Sequence, residues 1–300
     1  MKFLPFFILA GGYGQRAQPL SFIKPKPVFP LDGTPLIRIM LQRLMDQGLE
    51  WGFINLHYMP EAVRACVETM PTKPAIHFLY EQYLSGSRIL AQSLKWGDHE
   101  LLLVTNGDCF LEIPVEEMLR ALQTGGADGV ILVRPNKEQN PAYKAILTGK
   151  ETETDFFKGR MEHRGVKTAP GTLMYTGTAL FTREALSKID DTNLFDSLEK
   201  YRLKIKTLLY DGTWLDIGDP RSYRESNFIY KNYIRSPGSN SLSENVTISS
   251  DSNVKNSIIW ENTEIKNHTR LSNCIVTGNT ILDHLHSRNS IIIEGEKVSH

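Results

Sequence analysis

Cysteine is scarce: the 300 residues hold three, Cys66, Cys109 and Cys274. An odd number spread along the chain excludes a disulfide framework and makes a reducing compartment the expected setting. Net charge is absent too, because 34 basic residues balance 34 acidic ones. That balance argues against a protein whose main work is gripping a nucleic-acid backbone. No apolar run approaches the roughly 20 residues that span a bilayer, so no membrane partner is expected. The start, MKFLPFFILAGG, carries a lysine and then an apolar stretch, as a short leader does. Pro5 interrupts it, however, and it flows directly into a Gly-rich turn, so Phe6–Leu9 reads as a buried first strand of a cytoplasmic protein. Low complexity is also missing: 41% hydrophobic and 23% charged residues make an ordinary globular composition, large enough for about two domains.

What is present alternates. Residues 1–235 read as strands separated by single helices. Strands are expected at Phe6–Leu9, Trp51–Leu56, Ala75–Tyr80, Leu101–Thr105 and Gly129–Val133. Apolar residues at helical spacing place helices over Leu36–Gln47, Glu61–Met70, Arg88–Leu94 and Val115–Leu122. Single-helix connections mean crossovers, hence an α/β fold with a Rossmann-like, mostly parallel sheet flanked by helices. The more polar stretch 134–175 reads as hairpins and loops on that sheet. Ser-Pro-Gly-Ser-Asn-Ser at 236–241 then marks a linker or turn, and composition changes abruptly to Asn and Ser with isolated Val, Ile and Leu. Val254 and Leu271 stand 17 apart, as do Ile258-Ile259 and Ile275-Val276. That interval is close to three six-residue edges, one triangular coil of a parallel β-helix, expected here over 242–295.

Leu9-Ala10-Gly11-Gly12-Tyr13-Gly14-Gln15-Arg16 is the strongest local signal for chemistry. Glycines after a buried strand let the backbone approach a ligand and turn amide groups toward it. The order fits neither GxxxxGK[ST] nor the full GxGxxG pattern. Two cations follow, Arg16 and Lys26, a pair suited to a polyphosphate whose charge shifts during phosphoryl transfer. On spacing alone, a strand, a turn and a basic surface segment explain the same residues.

The segment LAGGYGQRAQPL, followed by PKPVFPLDGTPLI, resembles the signature of the sugar-1-phosphate nucleotidyltransferases. The resemblance continues through Val104-Thr105-Asn106-Gly107-Asp108, Tyr175-Thr176-Gly177-Thr178-Ala179-Leu180-Phe181 and Gly212-Thr213-Trp214-Leu215-Asp216-Ile217-Gly218-Asp219-Pro220, in order, from residue 5 to about 230. It implies the nucleotidyltransferase fold, and a short C-terminal left-handed parallel β-helix is common among such proteins. Carried over, Gly11, Gly12 and Gly14 cradle the nucleotide, with Leu9 and Ala10 along its base and ribose. Arg16 holds the phosphates that leave, and Lys26 meets the α-phosphate region and the incoming sugar phosphate. Asp108 and Asp216 bind Mg²⁺, whose octahedral shell accepts two carboxylates with water and phosphate. Glu81, Gln82 and Gly86 are the candidates for base recognition, although Arg88 stands where a glycine is common. Asn106 and Gly177 are expected near the sugar. Lys158 is the candidate contact to its phosphate, in a segment that lacks the usual Glu-Lys-Pro order.

The implied reaction joins a nucleoside triphosphate to a sugar-1-phosphate. The chain looks most like the mannose-1-phosphate guanylyltransferase-like and N-acetylmuramate-1-phosphate uridylyltransferase-like branches, which favours GTP with mannose-1-phosphate or a related sugar. UTP or another triphosphate is the nearer alternative. A non-catalytic subunit that binds a nucleotide sugar is the more distant one. A β-helix end or flank could support homo-oligomers. Asp283-His284-Leu285-His286 reads as a polar surface turn, and Cys66 and Cys109 lack a histidine placed to activate them. Tyr230 and Tyr233 have the spacing of packing residues.

Overall fold

The computed structural model describes residues 4–123, 126–136, 145–146 and 173–298. The chain opens with β1 (Phe6–Leu9), then a small hairpin of β2 (Pro30–Leu31) and β3 (Thr34–Pro35). Next come α1 (Leu36–Asp46), β4 (Trp51–Leu56), α2 (Pro60–Glu68), β5 (Ala75–Tyr80), β6 (Leu101–Asn106), β7 (Cys109–Leu111) and α3 (Val115–Gln123). They are followed by β8 (Gly129–Pro135), β9 (Ala145–Ile146), β10 (Leu173–Thr182), α4 (Arg183–Ser187), α5 (Leu194–Lys200), β11 (Ile205–Leu209), β12 (Trp214–Asp216) and α6 (Pro220–Tyr233).

The large sheet runs β11-β8-β10-β6-β1-β4-β5. β1 is parallel to β4 and β6, β4 to β5, and β8 to β11. β10 is the exception, antiparallel to both β6 and β8. The expected mostly parallel sheet therefore holds with one reversed strand at its centre. Side chains alternate between two cores: Phe6, Ile8 and Leu103 enter one, while Phe7, Leu102 and Val104 enter the other. Burial on both faces explains why β1 and β6 read as unbroken apolar runs.

One expected helix differs. The helix expected over Arg88–Leu94 is present as a 3-10 run, Gly86–Trp96, and not as an α-helix. Ser87 is tied across to another segment, its N–H to Thr192 O at 2.9 Å and its hydroxyl to Asp191 O at 2.6 Å. The hydroxyl of Ser93 turns back on Leu90 O. Such local side-chain bonds compete with regular α-helical turns. The stretch 134–175, read as hairpins and loops, lies mostly outside the described residues. Among the described residues no helix is long and apolar enough to cross a membrane.

The C-terminal strands form three parallel ladders. One stacks Ser241–Leu242, Ile258–Ile259, Ile275–Val276 and Ile291–Ile293. A second stacks Thr247–Ile248, Glu264–Ile265 and Ile281–Leu282, and a third Asn253–Lys255, Arg270–Ser272 and His286–Arg288. This is the coil-on-coil arrangement of a parallel β-helix, with Val254 opposite Leu271 and Ile258 opposite Ile275. Its corners sit in the left-handed region at Asn245, Asn262 and Asn279, with φ of 56°, 53° and 55°. Asn tolerates that conformation best among non-glycine residues, which explains the Asn-rich composition.

Candidate active site

The site is built where parallel strands end. Leu9, the last residue of β1, lies beside Asn55 of β4 and Asn106 of β6. Carboxyl ends of strands in an open α/β sheet are where such folds bind ligands. From there the chain runs into the glycine loop. Gly14 has φ of 63° and opens the tight turn Gln15–Ala17, which carries the exposed Arg16. At Gly11 a Cβ atom would sit 2.8 Å from Asn55 Nδ2, so the loop needs glycine there to lie against the strand.

Asn55 organises the base of this loop. It is buried, its Oδ1 accepts the Ala10 N–H at 2.8 Å, and its Nδ2 donates to Glu81 Oε1 at 2.6 Å. The other oxygen of Glu81 accepts the Ser85 N–H at 2.9 Å and also takes the Ser85 hydroxyl. The carboxylate of Glu81 is therefore held from both sides by the protein. Gln82, within the turn that these bonds close, is exposed. Gly86, with φ of 62°, follows and packs against the backbone of Thr192.

Lys26 is 7% exposed, and its Nζ stands 3.3 Å from Asp108 Oδ2. Asp108 occupies the turn between β6 and β7. Strand β12 pairs antiparallel with β7 and places Asp216 opposite Cys109, while the Ile217 N–H donates to Asp108 O at 3.1 Å. Two carboxylates about 100 residues apart in sequence thus arrive side by side on a two-strand ribbon. Gly218 leaves room for both Asp216 and Arg16: a Cβ there would lie 2.5 Å from Asp216 Oδ2 and 3.3 Å from Arg16 Nη1. Burial, and after it the charges of Asp108 and Asp216, push the Cys109 thiol well above its ordinary range. That direction favours the thiol over the reactive thiolate. Burial likewise raises Tyr175.

These groups surround one cavity of about 540 Å³. Leu9, Ala10, Gly11, Gly12, Gly14, Arg16, Lys26, Glu81, Gly86, Asn106, Asp108, Gly177 and Asp216 all line it. Gly177, with φ of 93°, packs against Asn106, where a Cβ would come 2.7 Å from Asn106 Nδ2. Gln82 is exposed and does not line the cavity. Arg88, the departure from the usual glycine, is also exposed and outside it. Lys158 lies outside the described residues. Sequence reasoning missed Asn55, the wall formed by residues 192–195, and Trp214, whose indole N–H donates to Thr176 O at 2.9 Å. Asn55 was findable: it is a lone amide in the apolar strand Trp51–Leu56, and buried polar side chains need partners.

A glycine loop, two cations and two adjoining carboxylates thus come together in one cavity at the strand ends. The family model for nucleotidyl transferases matches residues 6–232, and the chain belongs to that family. Its sequence is similar to mannose-1-phosphate guanylyltransferase 1 of Arabidopsis thaliana (27% identical) and to the catalytic subunit beta of mannose-1-phosphate guanylyltransferase of Dictyostelium discoideum (24%). Each match covers 76% of this chain and 65% of the relative, so the chain spans just under two thirds of their length. In structure it is similar to HddC from Yersinia pseudotuberculosis, with a TM-score of 0.64 at 21% identity, over 76% of this chain and 99% of that one. That likeness supports the fold.

Proposed function

We propose that the chain transfers a nucleoside monophosphate from a nucleoside triphosphate to a sugar-1-phosphate, releasing pyrophosphate. GTP and mannose-1-phosphate, or a related sugar, are the substrates favoured by its guanylyltransferase relatives. The observation that carries the reading is the convergence of the glycine loop, Arg16, Lys26, Asp108 and Asp216 on one cavity from four separate segments. The incoming oxygen already belongs to a phosphate, so no protein nucleophile is required. The protein's contribution is alignment and charge neutralisation. Lys26 offsets repulsion between two anionic reactants, and Arg16 stabilises charge on the departing phosphates. The amides of the glycine loop hold the nucleotide against β1. Glu81, engaged by Asn55 and Ser85, is fixed in the wall beside the glycine loop.

Asp108 and Asp216 suit a hard divalent cation. They offer oxygen donors from the turn before β7 and from β12 beside it, and Lys26 is the only basic group within ion-pairing distance of Asp108 among the described residues. Magnesium held there would polarise phosphoryl oxygens and neutralise charge that develops on them. The test is pyrophosphate release by the purified chain with Mg²⁺, crossing five triphosphates with mannose-, glucose-, N-acetylglucosamine-, N-acetylmuramate- and heptose-1-phosphates. Release with one base, reduced about a hundredfold or more in Asp108→Ala, is the expected result. Silence across the panel with nucleotide-sugar binding intact would instead favour a binding subunit.

A further inference from the structure

A second cavity, of about 620 Å³, opens between the first turns of α6 and the edge of the β-helix. Arg16 lines both this cavity and the first, so the two meet at that side chain. Arg221 and Arg224 form one wall, and their spacing of three puts them on one face of α6. Asn273, Asn289 and Ser290 of the β-helix form the opposite wall. Asp219 also lines the space, but its Oδ1 accepts the Ser222 N–H at 2.8 Å as the cap of α6. Arg221 engages Glu225 at 3.0 Å on the exposed side. Arg224 is half-buried and has no ion-pair partner among the described residues.

Three guanidiniums, one acid already in use and an amide-rich far wall make a container for a small, dense polyanion. No aromatic side chain among the described residues lines it, so they offer a base nothing to stack on. Guanidiniums bind phosphate oxygens in pairs, with charge-assisted bonds about twice as strong as neutral ones. The segment that carries Asp216 runs straight on through Gly218 into α6, so the wall of the catalytic cavity and the wall of this one are the same piece of chain.

We propose that this second cavity receives the pyrophosphate released by nucleotidyl transfer, with Arg224 as a direct ligand and Arg16 as the gatepost between the two spaces. The inference rests on the transfer reading above. In that reaction a bond forms between the sugar-phosphate oxygen and the α-phosphorus. The bond from the α-phosphorus to the oxygen bridging to the β-phosphate breaks, and its electron pair leaves on pyrophosphate. No net proton moves. The leaving group departs on the side opposite the attacking oxygen, and Arg16 is the cation that faces both cavities.

The test uses the full chain in the reverse direction, with inorganic pyrophosphate and the nucleotide sugar as substrates. Arg224→Ala is expected to raise the KM for pyrophosphate on the order of tenfold while that for the nucleotide sugar moves about twofold or less. Arg224→Lys, which keeps the charge but not the fork, should recover part of the loss. Calorimetric titration with pyrophosphate, and separately with phosphate, needs no turnover and should show the same ranking. Unchanged pyrophosphate affinity in Arg224→Ala overturns the proposal. So does an equal rise in both KM values, or a preference for phosphate over pyrophosphate. If the wild-type chain turns over no substrate pair, the transfer reading falls, and the titration alone decides whether the cavity binds pyrophosphate.

Discussion

Asn55 shows how much of the site depends on one amide. Its side chain joins the Ala10 N–H at the root of the glycine loop to Glu81 at the start of the segment that walls the cavity. Asn55→Ala leaves a buried N–H and a carboxylate oxygen without a partner. The expected cost is roughly 1–3 kcal/mol of stability, because unmade buried bonds carry the full desolvation penalty. Urea denaturation should show a lower midpoint with an unchanged slope. The KM for the triphosphate should rise more than that for the sugar-1-phosphate, since the proposed reaction puts both tethered segments on the nucleotide side. An equal effect on the two substrates would argue for a general loosening instead. At this scale the charged residues were legible because they stand in recognisable order: Arg16, Lys26, Asp108 and Asp216 all reach the cavity. Asn55 and Trp214 were less so, since their roles come from bonds across the sheet. Gln82 stands outside the cavity, in a turn that Ser85 closes through its bond to Glu81, a contact with no mark in the sequence.

At the scale of elements, spacing carried the β-helix. A 17-residue interval predicts stacked coils, and the ladders pair residues 17 apart from Ser241 to Ile258 to Ile275. The final coil is one residue shorter, pairing Ile275 with Ile291 and Arg270 with His286. It ends in an antiparallel return, Ile291 against Val298, that covers the open edge of the stack. A cap of that kind has no repeat from which to read it. Likewise nothing in the pattern of Leu173–Thr182 announces that it enters the sheet reversed, because a strand buried on both faces looks the same in either direction. The corner asparagines make the coil energetics testable. Asn262 accepts from Asn245 at 3.0 Å and donates to Asn279 at 3.1 Å while its backbone is left-handed. Asn262→Ala loses both bonds and strains the corner, for an expected roughly 1–3 kcal/mol. Asn262→Gly loses the bonds but keeps the corner relaxed, so it should retain about 1 kcal/mol more than the alanine variant. If glycine is no better than alanine, the ladder and not the backbone dictates asparagine there.

Across the whole molecule, the β-helix is part of the same core as the catalytic sheet. Trp260 is fully buried, packs on Phe29 with ring centroids 5.3 Å apart, and donates its indole N–H to Tyr223 OH at 3.0 Å. Tyr223 in turn donates to Pro30 O at 2.8 Å, and Asn227 Nδ2 reaches the same carbonyl. The buried pair Lys231–Asp32, at 3.0 Å, fixes the far end of α6 to the turn after β2. Lys24, shortly before Lys26, holds Glu261 beside Trp260. Each of these bonds fastens a segment that also shapes the site: the stretch after Lys26 on one side, and the helix that follows Asp216 on the other. The two units should therefore unfold together. Trp260→Ala, expected to cost roughly 3–5 kcal/mol, should shift a single transition seen by calorimetry and by near-ultraviolet dichroism alike. Trp260→Phe keeps most of the packing and loses one hydrogen bond, so it should cost less, with about 1 kcal/mol of that cost from the bond. Two transitions in the wild-type chain, with Trp260→Ala moving only one, would mean that the β-helix is an appendage. One transition moved as a whole would mean that the C-terminal coils help to hold Lys26 and Asp216 in their relative positions.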